Sequence, residues 1–146
     1  MRQLLNTGTL LGLAVILVIG GCATTGSGAS DDDQIRGLLG EWQEAILAKE
    51  VDRYMATHSE SFSHDGYEYQ ADDKAGLRDF TEGAIAEGGW DDVELYMEDM
   101  DIAIAEGKAT VYPIDYTVPA GTITIELILT KEKAGWLITD MNIEGL

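Results

Sequence analysis

The chain has 146 residues, 45% of them hydrophobic, which is enough for one domain with its own core, and 27 acidic against 9 basic side chains give a formal charge of −18. That hydrophobic content excludes global disorder, while one Cys and two Pro exclude a disulfide scaffold, a cysteine-rich zinc site and a collagen-like chain. So few Lys and Arg also argue against nucleic acid as a partner, because phosphate binding needs clustered cations.

Residues 1–21 carry a short positive end (Arg2 and the free amine), then an uncharged run from Leu10 to Ile19 that is apolar except for Gly12, and no acidic residue precedes Asp31. This is the layout of a secretory signal peptide, with an apolar stretch too short for a comfortable membrane span. The run ends in Ile19-Gly20-Gly21-Cys22, which resembles a bacterial lipobox. Small residues up to Gly21 let the backbone lie extended in a peptidase cleft. The resemblance implies cleavage after Gly21 and transfer of a diacylglyceryl group to the thiol of Cys22, which becomes the new N-terminus and anchors the protein to the membrane. Cys22 has no other cysteine to pair with. An uncleaved anchor helix, or an ordinary signal cut near Ala23, are the alternatives. With Ala23 in place of an Asp after the cysteine, the resemblance implies the periplasmic side of the outer membrane in a Gram-negative cell, and the outer face of the cell membrane otherwise.

Residues 22–33 then form the lipidated Cys and a tether, ATTGSGASDDD, whose small polar residues span roughly 15–20 Å as a flexible coil. Loss of the leader removes Arg2 and leaves the mature chain more acidic still. Anionic headgroups would repel it, so the domain is expected to stand off the membrane. The acidity is most economically a solubility or high-salt adaptation.

The domain is expected over residues 34–146. Ile35, Leu38, Leu39, Trp42, Ala45 and Ile46 recur at helical spacing, with Asp31–Asp33 as caps and dipole complement. A short second helix is predicted over Asp52 to Thr57, with Tyr54 and Met55 as its apolar contacts. A third follows Asp72-Asp73, with Leu77, Phe80, Ala84 and Ile85 on one face, and ends at Gly88-Gly89. After Trp90 the period becomes two: Val93, Leu95 and Met97 alternate, then Met100, Ile102 and Ile104 in the opposite phase, which predicts a bulge or sharp bend near Glu98–Asp99. Glu106-Gly107-Lys108 predicts a hairpin turn. Ala109 to Val118 predicts a strand that sets Tyr112, Ile114, Tyr116 and Val118 against Val111, Pro113, Asp115 and Thr117. Thr122 to Thr130 and Trp136 to Ile143 are two further strands. Helices followed by an antiparallel meander predict an α+β fold with helices on one face of a curved sheet.

Three stretches, LLGEWQEAILAKEVDRYMATHSESFSHDG, KAGLRDF and TIELILTKEKAGWLITDMNIEG, resemble the NTF2-like superfamily, which includes ketosteroid isomerase and SnoaL-type cyclases. The first resembles that fold's opening helix, short second helix and following strand, the second its third helix, and the last its closing hairpin. The resemblance implies an NTF2-like cone: three N-terminal helical segments packed on a curved, mostly antiparallel sheet with a cavity inside.

In enzymatic relatives the strand after the second helix often carries a general base, which makes His64 and Asp65 the candidate catalytic residues. Adjacent residues of a strand face opposite ways, so only one of them could line a cavity; a plain polar turn at Ser63-His64-Asp65-Gly66 is the simpler alternative. Tyr54, Tyr112 and Tyr116 are candidate ligand-binding hydroxyls, or amphipathic wall residues. Asp115 is a further ligand candidate, though solvent exposure on a half-polar sheet face is the favoured reading, and Glu126 is weighed alike. Trp42 and Trp136 are expected in the core and His58 at the surface. No acidic cluster has calcium-loop spacing and no cofactor motif appears, so neither a metal nor a cofactor is expected. Three functions compete: a non-catalytic, lipid-anchored module binding a small hydrophobic ligand or an envelope protein; an acid–base isomerase, dehydratase or cyclase; and a structural subunit forming a homodimer through its sheet.

Overall fold

The computed structural model of the chain describes residues 28–64 and 71–145, so Gly21, Cys22 and Asp65 lie outside the described residues. The first helix, α1 (Asp31–Ala48), begins three residues before the periodic pattern does. Its start is set by Ser30: the Ser30 hydroxyl accepts from the Asp33 amide at 3.1 Å, and the Asp33 carboxylate accepts from the Ser30 amide at 3.3 Å, a reciprocal capping box. Asp31–Asp33 therefore form the first helical turn, where their charge complements the dipole. The buried stripe of α1 is Ile35, Leu39, Trp42, Ala45 and Ile46. Lys49, left-handed at φ 57°, ends the helix.

The next helix, α2 (Val51–Ala56), buries Tyr54 and Met55 as expected. Arg53 ties it back to α1 by donating to Glu41 at 2.7 Å and Glu44 at 3.1 Å, and it also pairs with Glu50. The third helix, α3 (Lys74–Ala86), is capped by Asp73, which accepts from the Gly76 amide at 2.8 Å. Arg78 on α3 pairs with Asp52 on α2. The helix turns Leu77 and Thr81 inward, while Phe80, predicted on the buried face, is 43% exposed.

Five strands follow: β1 (Glu94–Tyr96), β2 (Asp101–Ala105), β3 (Lys108–Val118), β4 (Gly121–Glu132) and β5 (Gly135–Glu144). All pairings are antiparallel, and β1 and β2 lie in succession along the same edge of β3. The phase flip read at Glu98–Asp99 is thus a turn that divides one edge into two short strands. The β2–β3 hairpin turns on Glu106 (φ 51°) and Gly107 (φ 76°), the paired positive φ values of the turn type whose twist suits a two-residue hairpin.

Two irregularities bend the sheet along one line. The β3–β4 register shifts between Val111 and Ile114, so Tyr112 and Pro113 together oppose Glu126. The β4–β5 register shifts at Leu129, with Thr139 as the extra residue of β5. A bulge adds twist and reverses the inward phase beyond it. On β3 the inward residues are therefore Ala109 and Val111 before the bulge and Ile114, Tyr116 and Val118 after it. On β5 they are Trp136 and Ile138, then Met141 and Ile143. The expected unbroken alternation through β3, which put Val111 on the face of Asp115, is corrected by this bulge.

The core lies between α1 and the inward face of the sheet, around Ile35, Leu39, Ile46, Val111, Leu127, Leu129 and Ile138. Asp31 fastens the start of α1 to the far hairpin, accepting from Trp136 Nε1 at 3.0 Å and Lys131 Nζ at 2.6 Å. The strand expected after α2 is reduced, among the described residues, to a single parallel bridge of His58 with Ile138. The Ser59 amide donates to the Ile138 carbonyl, the Ile138 amide to Thr57, and the Ser63 amide to Thr139. That stretch runs beside β5 and delivers Phe62 and His64 inward.

Candidate functional site

Beyond the line of bulges the sheet curls away from α1 and leaves a cavity of about 710 Å³ between its inward face and α3. The floor is built by residues that follow the bulges: Tyr116, Val118, Ile123, Ile125, Met141 and Ile143. Leu77, Thr81 and Ala84 of α3 close one side, and Trp42 and Tyr54 mark the limit of the packed core. Trp90, held after the Gly88-Gly89 turn, completes the wall and stands edge-on to Tyr54 with ring centroids 5.2 Å apart at 80°. The mouth carries exposed Asp79, Phe80 and Glu87.

His64 lines this cavity and is 7% exposed, and neither of its ring nitrogens has a hydrogen-bond partner among the described residues. A buried polar group normally finds a partner, so two orphaned nitrogens facing a cavity mark a place where a ligand or water completes the bonding. Burial raises the Tyr54 phenol well above its ordinary range, with the nearby Tyr116 adding to the effect and the Trp42 indole opposing it. Tyr116 is pushed up to about 12 by burial. Both remain neutral O–H groups at ordinary pH, able to donate but not to act as bases.

Of the residues singled out in the sequence, His64, Tyr54 and Tyr116 meet at this cavity. Tyr112 does not: the bulge turns it to the outer face, 41% exposed, with its hydroxyl 3.5 Å from Glu144. Asp115 is on that outer face too, half-buried and accepting from the Thr124 hydroxyl at 2.9 Å, and Glu126 accepts there from Asn142 at 2.8 Å. Trp42 and Trp136 are buried as expected.

His58 is a correction. Expected at the surface from its polar neighbours, it is 1% exposed, its ring tilted 52° against Tyr54 and edge-on to Phe62. Its Nδ1–H donates to the Tyr54 carbonyl at 2.9 Å, leaving Nε2 buried and unpartnered, and burial lowers its pKa to about 4. Trp90 and Thr81 are site residues that sequence reasoning did not assign. Among the described residues no group of three His, Cys, Asp or Glu is placed to hold a metal ion.

Neither a protein-family model nor a curated protein matches the sequence. Solved structures do match. A cystatin-like-fold protein of unknown function from Nostoc punctiforme superposes with a TM-score of 0.65 at 16% identity, covering 79% of this chain and 92% of that one. An NTF2-like protein of unknown function from Pseudomonas putida gives 0.65 at 12% identity, over 82% and 90% of the two chains. A candidate dehydratase of the NTF2-like family from Streptomyces avermitilis gives 0.64 at 8% identity, over 80% and 96%. At such identities the likeness is one of fold: this chain has the NTF2-like α+β cone expected from its sequence.

Proposed function

We propose that the protein is a lipid-anchored component of the cell envelope whose cone binds a small, largely apolar molecule without transforming it. The observation that carries this reading is the cavity of about 710 Å³ with aromatic walls and one buried histidine whose two ring nitrogens are unpartnered among the described residues. Such a site offers a large apolar surface and a few convergent polar groups, which is what small-molecule sites require. The anchor rests on Ile19-Gly20-Gly21-Cys22, and the acidic domain at the end of its tether would be held away from anionic headgroups.

The presence of His64 in one cavity with Tyr54 and Tyr116 favours a second reading, an acid–base isomerase or dehydratase with His64 as base and a tyrosine hydroxyl stabilising developing charge. Binding is preferred because a histidine base is ordinarily oriented by a hydrogen bond at its other nitrogen, and His64 has none among the described residues. A sheet-mediated homodimer is disfavoured by the outer face, where Glu94, Asp101, Asp115, Glu126, Asp140 and Glu144 accompany Lys108. A two-fold interface there would set carboxylates against carboxylates.

Intact mass and membrane fractionation of wild type beside Cys22→Ala test the anchor: acyl mass and membrane retention are expected for wild type alone, and equal soluble masses would overturn it. For the cavity, wild type and His64→Ala are incubated with envelope extract and the bound and free small molecules compared by mass spectrometry. A binder returns its ligand unchanged. Product masses that accumulate with wild type and vanish with His64→Ala would replace this reading by the enzyme.

A further inference from the structure

Among the described residues the lining of the cavity carries negative charge and no Lys or Arg. Its two formally charged residues there are Asp79 and Glu87, both exposed at the mouth and neither in an ion pair with another described residue. The basic side chains of the surrounding helices are engaged elsewhere: Arg53 by Glu41, Glu44 and Glu50, Arg78 by Asp52 and Glu82, Lys74 by Glu60, and Lys49 by Asp91. A carboxylate or phosphate entering this space would lose its hydration with no counter-charge to replace it, against two like charges at the entrance.

A cation meets the opposite situation. Trp42, Tyr54, Trp90 and Tyr116 line the inner space, and an ammonium group held over an aromatic face is attracted by the ring quadrupole, most strongly when desolvated. His64 adds a directional acceptor, since a neutral imidazole in either tautomer keeps one ring nitrogen with a free lone pair. The field of a chain with formal charge −18 raises the local concentration of cations at the mouth before any contact is made.

We propose that the ligand of this cavity is a protonated amine with an apolar or aromatic body, its ammonium lying among the aromatic rings and donating to His64, with Asp79 and Glu87 drawing it in. The inference rests on the cavity-binding reading above and adds the charge of the ligand. Hydroxyl groups of Tyr54 and Tyr116 remain available as further acceptors for its N–H groups. The apolar body then lies on Ile123, Ile125 and Ile143.

Calorimetric titration of the folded protein with naphthylethylamine, naphthylethanol and naphthylacetate at physiological salt separates the two layers. The expected order is amine, alcohol, carboxylate, with one amine site per chain and at least a tenfold preference for amine over alcohol. In an Asp79→Asn, Glu87→Gln variant, which neutralises the mouth, the preference of amine over alcohol is expected to shrink severalfold. Alcohol binding as tightly as amine, or carboxylate binding most tightly, would overturn the charge inference and leave the cavity reading standing. Several weak amine sites abolished by added salt would also overturn it, as attraction to the acidic surface alone. Binding of none of the three would overturn both.

Discussion

The two halves of the inward sheet face, separated by the bulges at Tyr112-Pro113 and Thr139, are built from the same residue types and end in opposite states. On one side Ala109, Val111, Leu127, Leu129 and Ile138 are at most 1% exposed beneath α1. On the other, Tyr116, Ile123 and Ile143 remain partly accessible beneath α3, and a cavity takes the place of a core. The difference lies in the covering helix. The 18-residue α1 brings a five-residue apolar stripe to the sheet, whereas the 13-residue α3 turns only Leu77 and Thr81 fully inward and leaves Phe80 at the mouth. Stability is concentrated in the first half, and space for a ligand in the second.

Large-to-small substitutions should expose this contrast most strongly. Leu127→Ala, at a fully buried site, is expected to cost about 2–5 kcal/mol because it opens a void in a packed region. Ile123→Ala, beside an existing cavity, is expected to cost about 1 kcal/mol, the transfer of partly exposed methyl groups alone. Urea unfolding of the pair measures both, and equal losses would mean that the two halves are packed alike.

His58 sits at the seam between the halves, and its titration gives the next largest effect. Its pKa falls from 6.5 in the unfolded chain to about 4 in the fold. Between those values the unfolded chain binds a proton that the native protein does not, so stability is full above the upper value and is lost as pH falls toward the lower one. The loss is on the order of 3 kcal/mol. The carboxylates whose pKa is lowered, Asp31 by Lys131 and Trp136, Asp33 by Ser30 and Glu41 by Arg53, lose their contribution as pH falls below their ordinary carboxylate values, at the acid end of this window and beyond it. A His58→Gln variant should therefore flatten the stability profile between pH 6.5 and 4. Unchanged slope in that variant would remove His58 from the explanation.

Overpacking sharpens the same comparison with a smaller effect. Leu129→Phe is expected to cost about 1–3 kcal/mol, since the packed half has no room for added atoms. Ile125→Phe should cost far less, because its ring can extend into the cavity, and it should weaken binding of the naphthyl probes by occupying that space.

Much of this division follows from residues that speak plainly in the sequence. The helical spacing of Ile35, Leu39, Trp42 and Ile46, the phase flip before Met100 and the turn at Glu106-Gly107 each reflect a local periodicity or a backbone requirement, and each is found in the fold. What was not legible depends on pairing between distant segments. The alternation through β3 looks unbroken until one sees that Tyr112 and Pro113 share a single partner on β4, and this slip moves Tyr112 from the cavity to the outer face. His58 lies between Thr57 and Ser59 and has no apolar period around it. Its burial comes from backbone hydrogen bonds of those neighbours to Ile138, eighty residues away along the chain. Trp90 follows two glycines outside any helix or strand, so only its size hinted at a role in the wall. His64 was legible as a candidate only through the family resemblance, which implies a general base in the stretch after the second helix, whereas its unpartnered state among the described residues required the fold.

The most direct test is methyl NMR of the isoleucines, which populate both halves. Titration with naphthylethylamine is predicted to shift Ile123, Ile125 and Ile143 together and saturably while Ile35, Ile46 and Ile138 stay in place. Shifts spread equally over both groups, or confined to residues of the outer sheet face such as Ile128, would contradict the assignment of a closed half for stability and an open half for binding.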